Sequence, residues 1–403
     1  MCAPIINIYA VMLLLATACW AGPTEKTLFT FTGNATGIYP YGGVTLDKAG
    51  HVYGTALLGG ATGNGAVFEL VKTHGVWTEN VIYSFAGGND GSLPATALTF
   101  DGQGNLFGTT SGGGTQAAGT VFELKWSKGT WTETVIHNFV QTDGEAPFGD
   151  LIFDGKGNLY GTTQEGGGRG TCGNGGCGTV FRLSPQSGGR WKQTVLHRFT
   201  GGKDGASPEA GVIFDQSGNL YGATFAGGIY AGVVFELSPR SKGPWKETIL
   251  HAFSAKGKDG AYSTSRLAFD KTGNLYGTTQ VAGVGGAGIV FKLTHSKNKW
   301  TESVPYSFTG GGDGANPLSG VTVSPAGDLY GTTNGGGLGV GVVYELKHSK
   351  SGWVENVLFS FDARSDGAYP IAGVTLDKAG NIFGTTDGGG ETQSLGSVFE
   401  ILP

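Results

Sequence analysis

Residues 320–361 read GVTVSPAGDLYGTTNGGGLGVGVVYELKHSKSGWVENVLFSF and contain four short runs rich in β-branched and aromatic residues. Clusters of Gly, Pro, Asp and Ser separate the runs, a pattern typical of β-strands, and no run keeps a helical period. The central phrase, an aromatic residue before Gly-Thr-Thr, returns seven times with small variations, and successive copies lie 53 to 61 residues apart. Such a period indicates stacked or radially arranged copies of one unit. Four antiparallel strands in about 55 residues predict a propeller blade, so we expect an all-β, seven-bladed β-propeller.

The two ends of the chain predict how the ring closes. The seventh copy stops after its third strand, whereas residues 25–31 near the amino terminus match residues 355–361, a fourth strand. We expect the N-terminal strand to pair with the C-terminal blade, because this pairing removes an exposed sheet edge.

Composition narrows the possible partners. The net charge is −5 and the sequence has no polybasic run, which argues against nucleic acid or an anionic membrane surface as a partner. The 77 glycines fit a fold with many tight turns. We expect a monomer.

The first 21 residues differ from the repeats. Their apolar core, residues 10–16, is too short to span a bilayer, although no Lys or Arg precedes it. We interpret residues 1–21 as a signal peptide and residues 22–403 as a single propeller domain, without a transmembrane segment after signal removal. Residues 16–19 also resemble a lipobox, with Cys19 as the acylated residue. The protein is therefore expected to be secreted, periplasmic or at the cell surface, with an outer-membrane lipoprotein as one form.

Two further cysteines, Cys172 and Cys177, lie in the loop that lengthens the third repeat. In an exported protein a disulfide is the favoured interpretation of such a pair. Without further ligands nearby they do not predict a metal site.

Two repeated aspartate motifs have a structural interpretation. An Asp-x-x-Gly-Asn turn joins the first two strands, and Asp-Gly followed three residues later by Pro in most copies joins successive blades. Both predict capped turns; the alternative is calcium binding for the first motif, and a ring of metal ligands or a cation-attracting surface for the second. We predict no other cofactor.

Three histidines share one strand position with aromatic residues in other repeats. These are His137, His197 and His251, which stand where other copies have Tyr or Phe. We expect them to pack rather than to catalyse.

The third repeat region departs most from the pattern. Its unusual charged residues, together with one on the following link, are Glu145, Asp150, Glu165, Arg169 and Glu209. In a propeller the blade links and the second-to-third strand loops open on the same face, here an acidic, glycine-rich face that we call the link face. Grouped carboxylates with one Arg predict acid–base chemistry or binding of a sugar or cation. The alternative is a decorated surface loop.

The repeat, from Gly-Val-Thr-Leu-Asp at 43–47 through Leu-Tyr-Gly-Thr-Thr at 159–163 to Val-Phe-Glu-Leu at 121–124, resembles the bacterial extracellular tandem-repeat family called GloVer. The resemblance covers residues 25–403 and implies an exported bacterial protein, with no agreed catalytic residues to carry over. Members often have a C-terminal surface anchor. Here any anchor is expected to be a lipid on Cys19. The Asp-x-x-Gly-Asn turns are also similar to those of streptogramin-lyase-like propellers, an analogy of fold alone.

We therefore predict an exported non-catalytic propeller that binds a protein or glycan through the link face. The alternatives are a lyase or hydrolase acting on a carbohydrate or lactone, and a structural cell-surface component. The sequence has no Gly-x-Ser-x-Gly elbow, zinc-protease His-Glu pair or Walker loop. An enzyme would need Glu, His or Arg from several blades turned into one central pocket.

Overall fold

The computed structural model describes residues 23–33, 35–173, 175–297, 299–364, 366–389 and 395–402. They form seven four-stranded antiparallel sheets, the blades of a propeller, as the repeats predict. Each blade begins at the central channel with a two-residue strand and ends at the periphery. From the channel outward, the strands are Thr45–Leu46, Val52–Ala56, Ala66–Thr73 and Val76–Ser84 in blade 1; Thr99–Phe100, Leu106–Thr110, Thr120–Ser127 and Thr130–Asn138 in blade 2; Ile152–Phe153, Leu159–Thr163, Thr179–Pro185 and Trp191–Arg198 in blade 3; Ile213–Phe214, Leu220–Ala223, Val233–Ser238 and Lys246–Ala252 in blade 4; Ala268–Phe269, Leu275–Thr279, Ile289–Ser296 and Lys299–Ser307 in blade 5; Thr322–Val323, Leu329–Thr333, Val342–Ser349 and Gly352–Ser360 in blade 6; and Thr375–Leu376, Ile382–Thr386, Ser397–Leu402 and Thr24–Thr30 in blade 7.

Short elements decorate the links and hairpins. They are the 3₁₀ turns Gly88–Asp90 and Ser187–Gly189, and the paired two-residue strands Gly260–Ala261 and Val281–Ala282.

The ring closes as predicted. The N-terminal strand pairs antiparallel with the last strand, with Thr24 opposite Leu402 and Thr30 opposite Ser397. The two ends of the chain are thereby held in one blade. In the adjoining seam between blades 7 and 1, the Thr375 hydroxyl donates to the carbonyl of Val44 at 2.6 Å.

The Gly-Thr-Thr phrase has a packing reason in each residue type. A Cβ on Gly54 would lie 2.4 Å from Cζ of Phe68, so the phenyl ring of the third strand requires glycine beneath it. The first threonine forms a hydrogen bond to the next blade; in blade 1, the Thr55 hydroxyl donates to the carbonyl of Thr96 at 2.9 Å. The phrase therefore joins adjacent blades.

The hydrophobic core lies in the seams between adjacent blades. In one seam Val67 and Phe85 of blade 1 pack with Leu106 and Phe122 of blade 2. The rings of Phe85 and Phe122 meet edge to face, with centroids 5.1 Å apart. Repeating this apolar contact around the ring is the main stabilising term, because it removes large aromatic surfaces from water.

The aspartate motifs are turns, as predicted. Asp101 Oδ1 accepts the N–H groups of Gln103 and Asn105, both at 2.8 Å. Burial opposes ionisation of Asp270, but donors from Asn274 and Thr272 outweigh it and lower the pKa of Asp270 to about 2. Asp270 is therefore an ionised turn cap.

The blade-link aspartates act in the same way. Asp313 Oδ2 accepts the N–H of Thr309 at 2.8 Å and the hydroxyl of Tyr306 at 3.1 Å. The predicted role of this motif in capping the link is confirmed.

The Cys172–Cys177 disulfide is present, as predicted. It closes a small loop, so its entropic contribution is roughly 2 kcal/mol at most. Residues 1–21, with the expected leader and Cys19, lie outside the described residues. Within the described part of the chain, no helix has the length and hydrophobicity needed to cross a bilayer.

Candidate ligand site in the central channel

The seven first strands enclose a central cavity of about 750 Å³. Two sets of side chains line it. The upper ring, at the start of each first strand on the link face, consists of Tyr41, Ala95, Phe148, Glu209, Thr264, Leu318 and Ile371. Two residues further along, the inner ring consists of Gly43, Ala97, Asp150, Gly211, Arg266, Gly320 and Gly373.

The inner ring is small everywhere except in blades 3 and 5. Five of its members are Gly or Ala, whereas Asp150 and Arg266 bring opposite charges to the cavity wall on either side of Gly211. Close packing requires a small residue here, because a Cβ on Gly211 would lie 2.2 Å from the carbonyl oxygen of Asp150. The two charged side chains therefore stand out from a wall that is otherwise smooth.

The Asp150 carboxylate is fixed by its neighbours. Its Oδ1 accepts the N–H of Ala97 at 2.9 Å. Burial raises the pKa of Asp150, while the charge of Arg266 and the Ala97 N–H act in the opposite direction. Arg266 itself is exposed to the cavity and, among the described residues, has no carboxylate within 4.0 Å. Its guanidinium is thus available to an anionic group of a ligand.

A second polar group lies at the mouth, around Glu209. Its Oε1 accepts the Gln164 side-chain amide at 2.8 Å. Burial raises the pKa of Glu209 although Gln164 opposes the shift. Burial is the largest cause that raises the pKa of Tyr41, and the negative charges of Asp387 and Glu209 raise it further. Tyr41 belongs to blade 1 and Glu209 to blade 4, so carboxylates from different blades act on one phenol.

Blade 5 adds neutral polar groups to the same mouth. The Gln280 amide donates to the Thr264 hydroxyl at 3.2 Å, and this hydroxyl donates to the carbonyl of Leu318 at 2.6 Å. Both Gln280 and Thr264 line the cavity. The mouth therefore offers carboxylates, amides and hydroxyls within one concave surface.

Three partly exposed tyrosines lie on the link face: Tyr41 lines the cavity, and Tyr262 and Tyr369 come two residues before the upper-ring residues Thr264 and Ile371. The exposed fractions of Tyr41, Tyr262 and Tyr369 are 41, 38 and 46%. Tyr262 stacks on Phe225, with ring centroids 5.0 Å apart and an interplanar angle of 27°. Large aromatic faces left open beside a polar cavity are typical of ligand-binding surfaces.

The structure divides the five residues singled out from the sequence. Asp150 and Glu209 line the cavity. Glu145 and Glu165 exchange backbone hydrogen bonds of 2.9 and 3.0 Å on the link face, outside the cavity lining. Arg169 is exposed in the disulfide loop, also outside the lining. The five residues thus do not form one cluster around the cavity.

Arg266, Gln164 and Gln280 were not identified from the sequence. Aligning the repeats places Arg266 at the position of Asp150, where every other repeat has Gly or Ala. The departure used for the third repeat would therefore have found Arg266 in the fifth. The two glutamines directly follow Gly-Thr-Thr, a position that varies between repeats and gave no comparable signal.

The sequence also matches a known family. The model of the Gloeobacter/Verrucomicrobia repeat matches residues 17–173 and 169–399, nearly the whole chain. A comparison with curated proteins gives no match.

Several solved structures share the fold at low identity. The extracellular domain of a candidate one-component system from B. thetaiotaomicron has a TM-score of 0.56 and 11% identity; the match covers 94% of this chain and 39% of that one. A candidate 6-phosphogluconolactonase from Bacteroides uniformis has a TM-score of 0.54 and 14% identity, over 83% and 88% of the two chains. A fungal alcohol oxidase of the AA5 family, in complex with copper, has a TM-score of 0.56 and 12% identity, over 94% and 76%. These likenesses concern the fold alone.

Proposed function

The chain belongs to the Gloeobacter/Verrucomicrobia repeat family, and we propose that this member binds a hydroxyl-rich ligand, a glycan or sugar derivative with an acidic group, in its central channel. One observation carries the proposal. Asp150, Glu209 and Arg266, from three successive blades, line one cavity and are its only charged lining residues among those that the structure describes.

The charges of the site select the ligand class. A carboxylate such as that of Glu209 accepts hydrogen bonds from hydroxyl groups, and an amide such as that of Gln164 both donates to them and accepts from them. Arg266 offers a fork of donors suited to a carboxylate. A cavity of about 750 Å³ fits within the range of about 300–1,000 Å³ usual for small-molecule sites. A short acidic saccharide matches both the size and the charge pattern.

The rim supports the same ligand class. Tyr41 lines the mouth with a partly exposed ring, and such a ring face buries the apolar side of a sugar ring while its hydroxyls stay hydrogen-bonded. This arrangement would allow a longer glycan to extend from the channel across the link face.

We place this activity outside the cytoplasm. The Cys172–Cys177 disulfide persists in oxidising compartments, and the sequence interpretation of residues 1–21 as a leader agrees with such a location. Binding to an extracellular protein through the same face is the other form of this proposal.

Titration calorimetry with neutral and uronic-acid oligosaccharides tests the proposal. We expect saturable binding to the wild type and at least about tenfold weaker binding to Asp150→Ala and Arg266→Ala, a loss of about 1.4 kcal/mol or more. Alanine at position 150 copies Ala97 of blade 2 and should preserve the fold. Glu165→Ala is the matched control on the link face outside the cavity. Binding that survives both channel substitutions, or is lost only in the control, would contradict the channel as the site.

The enzyme alternative also has an observation in its favour. An enzyme of this fold would need Glu, His or Arg from several blades in one pocket, and the channel contains two carboxyl groups and an Arg. Burial raises the pKa of both Asp150 and Glu209, which suits a proton donor. Incubation with glycoside and lactone substrates would reveal turnover that Asp150→Asn abolishes while ligand binding persists. Binding without turnover in the wild type would favour a non-catalytic receptor.

A further inference from the structure

The outer part of the seams carries a second set of polar residues, outside the lining of the central channel. A residue of the fourth strand, the aspartate of the blade link and a residue of the next blade's fourth strand meet there. In the seams on both sides of blade 4 these three residues are His, Asp and Glu. They are His197, Asp204 and Glu247 in seam 3/4, and His251, Asp259 and Glu302 in seam 4/5.

The first trio brings three ligand atoms together. His197 Nε2 lies 3.8 Å from Asp204 Oδ2 and 3.4 Å from Glu247 Oε1. The side chains are 16, 16 and 17% exposed, so they are largely withdrawn from water. Neither His197 Nε2 nor Glu247 Oε1 has a hydrogen-bond partner among the described residues. The equivalent Oε1 atoms of Glu79, Glu133 and Glu355 also lack partners, so what distinguishes this seam is the His197 nitrogen that faces the glutamate.

The second trio repeats the arrangement. His251 Nε2 lies 3.1 Å from Asp259 Oδ1 and 3.7 Å from Glu302 Oε1. Glu302 Oε1 also lacks a hydrogen-bond partner in the described part of the chain. All the ligand atoms of each trio lie within 4.8 Å of one another.

We propose that each trio is a divalent transition-metal site, suited to zinc, that joins blade 4 to its two neighbours. Ligands about 2.0–2.1 Å from a tetrahedral Zn²⁺ lie about 3.3 Å from one another. The measured separations from histidine nitrogen to carboxylate oxygen, 3.1 to 3.8 Å, are distributed around that value. Calcium fits less well, because it prefers roughly six to eight oxygen ligands at longer distances.

The surroundings already orient the ligands. Asp204 Oδ2 accepts the N–H of Thr200 at 2.8 Å, and Asp259 Oδ2 accepts the N–H of Ser254 at 2.6 Å. The histidine rings pack edge to face, His197 on Phe199 at 4.6 Å and His251 on Phe253 at 4.9 Å between centroids. The packing role expected for these histidines is therefore correct, and it also holds Nε2 toward the carboxylates.

Seam 2/3 supplies an internal control. There His137 Nε2 lies 3.3 Å from Asp143 Oδ2, but the third position is Gln193 instead of Glu. The Gln193 amide donates to the main-chain carbonyl of Asp143 at 3.2 Å. This seam has two of the three ligands and should not hold the metal.

The test measures zinc stoichiometry. The full chain is stripped with EDTA and titrated with ZnCl₂ in a calorimeter, and tetrahedral Co²⁺ bands provide an optical check. We expect two ions bound per wild-type chain, one in Glu247→Gln, one in Glu302→Gln, and none in the double variant. Glutamine occurs naturally at this position in blade 3, so these variants should fold. His137→Gln should still bind two ions.

A gain-of-site variant completes the test. Gln193→Glu gives seam 2/3 the third ligand, and we expect it to raise the stoichiometry from two to three. A wild type that binds no more zinc than the double variant would overturn the proposal, as would a stoichiometry that stays at two in Gln193→Glu.

Discussion

The seams of this ring are not equal. In each of the seams 1/2, 2/3, 6/7 and 7/1, two threonine hydroxyls, one from the first strand and one from Gly-Thr-Thr, donate to carbonyls of the next blade. In seam 4/5 these positions are Ile213 and Ala223, which have no hydroxyl to donate. Seam 3/4 keeps one of the two bonds, from Thr162 to the carbonyl of Ala210 at 2.9 Å.

The less regular sector is also where the charged groups lie. Asp150, Glu209 and Arg266 of blades 3 to 5 face the channel, and the two histidine trios flank blade 4 on the outside. The regular seams hold the ring with repeated threonine hydrogen bonds, whereas the sector of blades 3 to 5 has fewer of these bonds and carries the proposed ligand-binding groups. Sites that depart from the local rules of a fold are often functional.

The largest effect should come from the motif glycine of a regular blade. A Cβ at Gly108 would lie 2.6 Å from Cζ of Phe122 and 2.9 Å from Cδ2 of Leu98. We expect Gly108→Ala to lower the free energy of unfolding by about 1–3 kcal/mol, because the ring and the leucine must move. Chemical denaturation measures this. Gly102→Ala, whose Cβ would meet nothing within 4 Å, is the control, and equal loss in both would refute the packing account.

Removing one threonine hydrogen bond should lower the free energy of unfolding less than Gly108→Ala does. The effect on local stability should be largest beside blade 4. Thr162→Val and Thr332→Val each remove one buried donor and leave a carbonyl without a partner, a cost of about 1–2 kcal/mol. In seam 6/7 the Thr322 bond remains, whereas seam 3/4 has no second threonine bond. Amide hydrogen exchange should therefore speed up across blade 4 in Thr162→Val more than across blade 7 in Thr332→Val. Equal acceleration would show that the seams are equivalent.

A smaller effect concerns pH in a seam without histidine. Burial, then the negative charge of Asp90, raises the pKa of Glu133 to about 7, although the Tyr83 hydroxyl opposes the shift. The folded state thus keeps a proton that the unfolded state loses above its pKa of about 4.5. The stabilising effect is complete below that value and is lost as the pH rises through about 7. Denaturation from pH 4 to 9 should show the wild type losing this stability and Glu133→Gln losing less; parallel profiles would disprove it.

The smallest effect is expected in the disulfide loop. Arg169 is exposed and lies outside the channel lining. Arg169→Ala should leave both thermal stability and saccharide binding unchanged, within about 0.5 kcal/mol. A clear loss of binding would move the site from the channel toward the loop.

The fold could be predicted from the sequence because every repeat shows the same pattern of strands and turns. The glycine beneath Phe68, the Asp101 turn and the matching of residues 25–31 to a fourth strand can all be found in the repeats. Only part of the site could be predicted in this way. Asp150 was found through its departure from the repeat, but Arg266 lies two blades away, and only the ring geometry brings the two to one wall.

The histidine trios show the same limit. His197 and Asp204 are close in sequence, but Glu247 comes from the next blade, and its approach depends on how adjacent sheets twist and pack. Substitution by Tyr and Phe at the same position correctly indicated packing and gave no sign of the carboxylates.

The most direct test of the account is a crystal structure of the protein with a bound acidic oligosaccharide from the calorimetric panel. We expect density for the sugar in the central channel, with its carboxylate on Arg266 and its hydroxyls within hydrogen-bond distance of Asp150 or Glu209. Density on the disulfide loop or the outer seams, with the channel filled by water alone, would contradict the assignment of blades 3 to 5 as the binding sector.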